Sequence, residues 1–384
     1  MNSVTAIVDR VIADTAPAET SLDRLETPAA LVDLPVMAAN LIRTASYCQS
    51  HGLGYRPHTK THKSAALGTA QLLAGAQGLT VATLREAEVM ATVCDDLLLA
   101  YPPVGAAKLE RLIALAERVG GITVALDSPD ALVAMNQAAA AAGVEIGVMI
   151  ELDLGMGRAG VTTPESAVAL AKLAAEASHL RYVGIMFYPG HIREPAGQQD
   201  AALAAVQRGL DEFRRALEAA GLSPAIVSGG STPSLWRSHE LSGLTEIRPG
   251  QSVFNDRTTA VIEACSWQDC AYTVLATVVS TTVKDQAVVD AGSKALAKEE
   301  MRGSGGGYGV LLDRPEIPVK SLSEEHGLLD LSQTDWRPKV GDRVRIVPNH
   351  VCVSVNLQDQ MWGVRDGAVV CRWPVAARGR ALFD

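Results

Sequence analysis

No stretch of the 384 residues approaches the roughly 18 to 20 uninterrupted apolar residues of a membrane-spanning helix. The first twenty residues carry acids where a secretion signal needs an apolar run, so a cytoplasmic protein with no membrane partner is expected. There is no run of lysine and arginine, and the formal net charge of -9 lacks the basic footprint that a phosphate backbone requires. Nucleic acid is therefore excluded as the expected partner. The six cysteines, Cys48, Cys94, Cys265, Cys270, Cys352 and Cys371, show no CxxC or paired spacing. In a reducing compartment most of them read as small buried hydrophobes, with Cys352 set apart below. No internal repeat stands out. The glycine-rich stretch 303–309 has no strand before it and no helix signal after it, so it reads as a mobile loop and not as a dinucleotide-binding turn.

What is present is an ordinary globular composition, 48% hydrophobic and 20% charged, in a chain too long for one small core. One large barrel plus a second module is the expectation. From 30 to 255, short β-branched runs alternate with helix-forming stretches such as 106–119, 129–142, 164–177 and 201–220. The strand candidates are 30–33, 54–57, 78–81, 96–100, 122–126, 146–151, 182–187 and 225–228. Eight of them joined by crossover helices imply a closed (β/α)8 TIM-like barrel. From 256 to 384 the runs become Thr/Val-rich with polar breaks, at 272–283, 287–290, 343–347, 351–355 and 367–371. That texture predicts an antiparallel β domain, with residues 1–29 as a candidate to pack on it.

Three segments can carry chemistry. In Tyr55-Arg56-Pro57-His58-Thr59-Lys60-Thr61-His62-Lys63, two lysines and two histidines crowd the end of a barrel strand. Strand C-termini face the active site of such barrels, and a lysine there, desolvated among cations, becomes a nucleophile able to form a Schiff base. A solvated basic loop is the alternative. The second segment is Ser228-Gly229-Gly230-Ser231-Thr232, where glycines admit an anion to backbone N–H groups and hydroxyls add donors; Gly250 and Gln251 in a later turn would close that phosphate cup. An ordinary turn stands beside that reading. The third is His350-Val351-Cys352: on an extended strand, residues two apart share a face, and imidazole with thiolate suits zinc or another borderline divalent ion. A buried core pair is the alternative there.

In this order, and over nearly the whole chain from Thr27 to Arg378, these segments resemble the D-threonine aldolase and D-serine dehydratase group of fold-type III pyridoxal-phosphate enzymes, relatives of alanine racemase. Further pieces of the resemblance are Thr80-Val81-Ala82-Thr83 with Glu86 and Glu88, the Asp153 to Gly160 segment, Tyr188-Pro189-Gly190-His191, and Val289-Asp290-Ala291-Gly292. The resemblance implies an alanine racemase-like barrel plus β domain, pyridoxal 5'-phosphate on Lys60, Arg158 and Tyr188 beside the cofactor ring, and phosphate donors at Gly229 to Thr232. Lys63 reads as a nearby charge that tunes Lys60. A homodimer is implied, with a small D-amino acid as substrate and a divalent metal, zinc, manganese or magnesium, at His350 and Cys352.

Two reactions follow from a metal that binds the β-hydroxyl of the substrate. Retro-aldol cleavage gives glycine and an aldehyde; dehydration gives a 2-oxo acid and ammonia. His-x-Cys resembles the dehydratases, while the residues after it, 355–359 and 364–367, resemble the aldolases, which are the main expectation. An amino-acid racemase and a non-catalytic pyridoxal-phosphate carrier are the lesser alternatives. His58, His62 and His191 are the candidate proton carriers, because imidazole titrates near neutrality.

Overall fold

The structure is a computed structural model that describes residues 3–301 and 306–379. Residues 303–305 of the expected glycine-rich loop lie outside the described residues. Contacts divide the chain into two compact units, one of 43–250 with 377–384 and one of 1–42 with 251–376.

The first unit holds eight parallel strands: β1 (Gly54–Tyr55), β2 (Leu79–Val81), β3 (Asp96–Leu99), β4 (Gly121–Leu126), β5 (Ile146–Leu152), β6 (Leu180–Phe187), β7 (Ile226–Gly229) and β8 (Glu246–Ile247). Each strand from β2 to β8 pairs with the next, and β8 pairs with β1. The ends of this sheet meet at an isolated parallel bridge between His58 and Thr80. Around the bridge, Thr80 N–H donates to Pro57 O (2.9 Å), Thr80 Oγ1 to Arg56 O (2.9 Å) and Gln77 N–H to Tyr55 O (2.8 Å). Proline at 57 has no N–H, so β1 stops after two residues, and backbone bonds joined by the Thr80 hydroxyl complete the closure. Alternate residues point inward, and Leu98, Ala125, Met149, Val183 and Met186 form a buried cluster. Crossover helices start as their sequences dictate: Ser128 and Thr163 accept from the N–H groups of Ala131 and Ser166, each followed by proline in the first turn.

The expected strand at 30–33 belongs elsewhere. Ala29–Asp33 pairs antiparallel with Tyr272–Ser280 and parallel with Gln360–Arg365 in the sheet of the second unit. The eighth barrel position is filled by β8, too short to register in the sequence as a β-branched run. Apart from that one parallel pair, the second sheet is antiparallel. A second correction concerns 351–355, expected as a strand: Val351–Leu357 is a short helix, with His350 as its N-cap residue in extended conformation. Asp256 accepts the Val351 N–H at 3.0 Å, so a tertiary acceptor starts the helix against the local valine preference. Among the described residues no helix is long and apolar enough to cross a membrane.

Candidate active site

In the barrel unit the site grows from the closing bridge. Just beyond it the chain makes a tight turn at Thr59–Thr61, capped by His58, whose Nδ1 accepts the Lys60 N–H at 3.4 Å. Thr59 Oγ1 donates to Thr80 O, and Gly250 packs where a Cβ would press on His58 O and Thr61 Oγ1, both 3.1 Å away. This holds Lys60 at the C-terminal end of β1. Its Nζ lies 5.6 Å from the centroid of the Tyr188 ring, and the Arg158 guanidinium lies 5.0 Å from the same centroid. Gly190 has no side chain because the Tyr188 ring occupies the space. Two cations on one aromatic ring are each favoured by its quadrupole, and the buried Glu151 answers Arg158 at 3.7 Å. Burial pushes the Glu151 carboxyl up, against the pull of Arg158 and Arg248.

The three histidines separate cleanly. Burial holds His58 well below the ordinary imidazole range, with Lys60 and Arg248 pushing the same way; its Nδ1 is an acceptor, so the neutral ring carries its proton on Nε2. His62 is fully buried, and its pKa is lowered to about 4 by burial. Its Nδ1 accepts from Ser64 N–H and its Nε2 meets Gln71 Oε1 at 3.2 Å, so both ring nitrogens are engaged away from Lys60. His191 lies against Gly155, and its buried Nδ1 has no hydrogen-bond partner among the described residues.

At the end of β7, Gly230 has φ +83° and turns the chain into Ser231 and Thr232, both buried. A side chain at Gly229 would enter the Phe187 ring. Ser228 points beneath this turn: its Oγ donates to Glu246 Oε1 (2.6 Å) and accepts from Arg248 Nη1 (2.5 Å). Arg248 also donates to Phe187 O, and burial lowers its pKa to about 10. Glu246 carries no sequence signal of its own, whereas Arg248 opens the later turn, Arg248 to Ser252, that was expected to close the cup; both are buried. A glycine cradle with buried hydroxyls, an orphaned imidazole nitrogen and an amine beside an aromatic face together fit an anionic aromatic aldehyde such as pyridoxal phosphate.

In the second unit, His350 and Cys352 lie at the start of a helix and not on a strand, and the Cys352 sulfur acts on the charge of the imidazole. His350 Nδ1 lies 3.4 Å from Asp256 Oδ2 and 3.1 Å from Gln251 Nε2, and Gln251 donates to Asp256 at 2.9 Å. Gln251, expected at the phosphate cup, thus has its side chain on the imidazole. Burial opposes a charge on His350, but the Cys352 thiol and Asp256 outweigh it and push its pKa up to about 11. Asp256 is fully buried and held low by His350 and by the N–H groups of Val351 and Thr259, despite the opposing effect of burial. Asn349 anchors the turn through Arg257 and the Glu299 and Gly307 carbonyls. Asp256 was missed from the sequence; the signal it carries is the capping-box spacing of Asp256-Arg257-Thr258-Thr259. Among the described residues no group of three or more His, Cys, Asp or Glu side chains is arranged to hold a metal. The donors present are a pair, and imidazole with thiol suits a borderline divalent ion.

Comparison with known proteins agrees with this architecture. Residues 32–258 match the family model for the alanine racemase N-terminal domain, and residues 271–364 match a serine dehydratase domain model. Alanine racemase of Clostridium difficile shares the fold, with a TM-score of 0.68 over 92% of this chain and 100% of its own at 14% identity. The chain is a fold-type III pyridoxal-phosphate enzyme of the alanine racemase family. Within it, the solved D-threonine aldolase of Filomicrobium marinum is 32% identical, with a TM-score of 0.88 over 96% of this chain and 100% of that one. The D-threo-3-hydroxyaspartate dehydratase of Delftia sp. HT23 is 30% identical, with a TM-score of 0.87 over 95% and 100%; a cysteine-to-alanine variant of a D-threo-3-hydroxyaspartate dehydratase, also 30% identical, is described in a metal-free form. The 3-hydroxy-D-aspartate aldolase of Paracoccus denitrificans is 32% identical over 99% of this chain and 100% of its own. The chain belongs to the D-threonine aldolase and D-serine dehydratase group of these lyases.

Proposed function

We propose that this enzyme cleaves the Cα–Cβ bond of D-β-hydroxy-α-amino acids to give glycine and an aldehyde, with pyridoxal phosphate on Lys60 and a divalent ion at His350 and Cys352. The observation that carries the reading is the placement of Lys60 and Arg158 on the Tyr188 ring, at barrel strand ends that also carry a glycine turn with buried hydroxyls. Lys60 supplies the amine that holds the cofactor, Tyr188 and Arg158 flank the ring, and Gly229, Gly230, Ser231 and Thr232 receive the phosphate. When bound, the cofactor is an electron sink for the bond broken at Cα. His58, held neutral by burial, and His191, whose buried Nδ1 has no partner among the described residues, are the candidate proton carriers.

In the other unit, ligation through His350 Nε2 requires the proton on Nδ1, where Asp256 Oδ2 stands to accept it. A carboxylate behind a ligating imidazole fixes its tautomer and raises its basicity. The Cys352 thiolate would be the second ligand and a divalent ion there a Lewis acid. The metal-free form described for a cysteine-to-alanine variant of a D-threo-3-hydroxyaspartate dehydratase supports a cysteine among the ligands. A cytoplasmic homodimer completes the proposal.

Dehydration to a 2-oxo acid and ammonia is the second reading, favoured by the His350-Val351-Cys352 pair and by a Delftia dehydratase that is 36% identical over 86% of this chain. The test offers D-threonine, D-phenylserine, D-serine and D-3-hydroxyaspartate to the protein loaded with cofactor and zinc or manganese. Glycine and acetaldehyde in equal amounts from D-threonine is the expected outcome. Ammonia and 2-oxobutanoate without glycine would replace the aldolase with the dehydratase, and borohydride labelling at Lys63 instead of Lys60 would overturn the cofactor assignment.

A further inference from the structure

Lys60 and Lys63 stand three residues apart beyond the end of β1, and the aldehyde of a cofactor could meet either amine. Their surroundings differ. Lys63 Nζ lies 3.6 Å from Glu86 Oε1, with the lysine side chain 14% exposed and that of the glutamate 1%. Among the described residues no carboxylate stands within ion-pair distance of Lys60 Nζ, whose neighbour is the Tyr188 ring.

Glu86 is fixed from its own side of the barrel. It is the third residue of the helix Leu84–Met90 beyond β2, where Thr83 Oγ1 accepts the Glu86 N–H at 3.2 Å and Glu86 Oε2 takes the Ala82 N–H at 2.7 Å. One oxygen spent on the backbone in a charge-assisted bond holds the carboxylate in place and leaves the other for Lys63. Burial pushes the Glu86 carboxyl up, against the pull of the Ala82 N–H, Lys63 and Lys60. The backbone brings Lys63 to this carboxylate through a left-handed conformation (φ +54°), which a residue with a Cβ rarely adopts; its N–H closes the turn by donating to Thr59 O at 2.8 Å.

We propose that Glu86 holds Lys63 as a paired ammonium and thereby assigns the cofactor aldehyde to Lys60. Imine formation needs a neutral amine: the nitrogen attacks the aldehyde carbon, the C=N bond forms, and the oxygen leaves as water with the two amine hydrogens. An ammonium has no lone pair for that attack. A buried carboxylate and a buried ammonium stabilise each other's charge, and removing one strands the other. Glu86 is thus a positioning residue that acts through the lysine it withholds. The inference rests on Lys60 as the cofactor lysine, whereas that assignment does not depend on Glu86.

Borohydride on the full-length protein loaded with pyridoxal phosphate tests both. The reduced cofactor should be found on Lys60 in the wild type and on no lysine of this turn in Lys60→Ala. Lys60→Ala combined with Glu86→Gln should regain fixation, now on Lys63, because the amide keeps an acceptor for the Ala82 N–H but carries no charge. Label on Lys63 in the wild type would overturn the cofactor assignment itself. Label on Lys63 in Lys60→Ala with Glu86 intact, or none in the double variant, would overturn the role of Glu86 and leave Lys60 in place. A second measurement compares the two amines before cofactor is added. Limited acetylation of the wild type should modify Lys60 several-fold faster than Lys63, and Glu86→Gln should narrow that difference. Equal rates in the wild type, or a difference unchanged in Glu86→Gln, would show that the carboxylate does not withhold the amine.

Discussion

His62 shows how an imidazole close in sequence to Lys60, the proposed cofactor lysine, can be occupied with holding the chain. Its pKa of about 4 lies below the unfolded value of roughly 6.5, so folding favours the neutral ring. Its contribution is complete above about pH 6.5 and is lost as the pH falls toward 4, by about 3 kcal/mol, because the unfolded chain binds the extra proton. His58 acts in the same direction. His62→Asn keeps an acceptor for Ser64 N–H and removes the titration, so its urea midpoint should vary less between pH 7 and pH 4 than the wild type; parallel profiles would refute the assignment. Asp256 is the corresponding residue in the other unit. Asp256→Asn should weaken zinc or manganese binding roughly 10- to 100-fold while leaving cofactor absorbance in place, as read by metal titration and spectroscopy. Loss of both together would point to a role in folding alone.

At the scale of elements, the closure between β1 and β2 is where stability and site meet. Arg56 Nε donates to Glu246 at 2.9 Å and its two terminal nitrogens hold Asp96 at 2.8 and 2.9 Å, tying β1 to β8 and β3. Glu246 is almost fully buried, whereas Asp96 is half exposed and contributes little. Arg56→Met should therefore cost about 3–5 kcal/mol by leaving Glu246 uncompensated, and Arg56→Met with Glu246→Gln should recover much of it. A double variant no more stable than the single one would show that the cost lies in packing. This seam also marks what could be read in advance. Lys60 drew attention because cations crowd a strand end and the segment resembles the family's lysine motif, and β2 to β7 were legible because short apolar runs alternate with helix formers. β8 was not, because two residues make no pattern. Ala29–Asp33 looked like a barrel strand because a short buried strand reads the same in any sheet. The His350 helix was hidden by its valines, and Asp256 by serving as an N-cap, since neither sequence feature reports the tertiary hydrogen bonds that decide them.

The whole molecule is assembled from units that are not both contiguous: residues 1–42 join a unit otherwise made of 251–376. In that unit Ala29–Asp33 hydrogen-bonds to Tyr272–Ser280 and Gln360–Arg365. Residues 43–250 expressed alone should resist trypsin as a barrel, whereas in 1–250 the first forty residues should be cut rapidly, because the strand partners of Leu31 and Val32 are missing. Slow cleavage there would show that this segment has another partner. The discontinuity also bears on synthesis. The strand at Ala29–Asp33 leaves the ribosome roughly 240 residues before its first partner, which at about 5–20 residues per second is a wait on the order of 10 to 50 s. During that interval an apolar segment with open backbone groups is available to other nascent chains. What is made first is thus completed last, and the yield of active enzyme in a cell depends on how well translation speed and chaperones cover that wait.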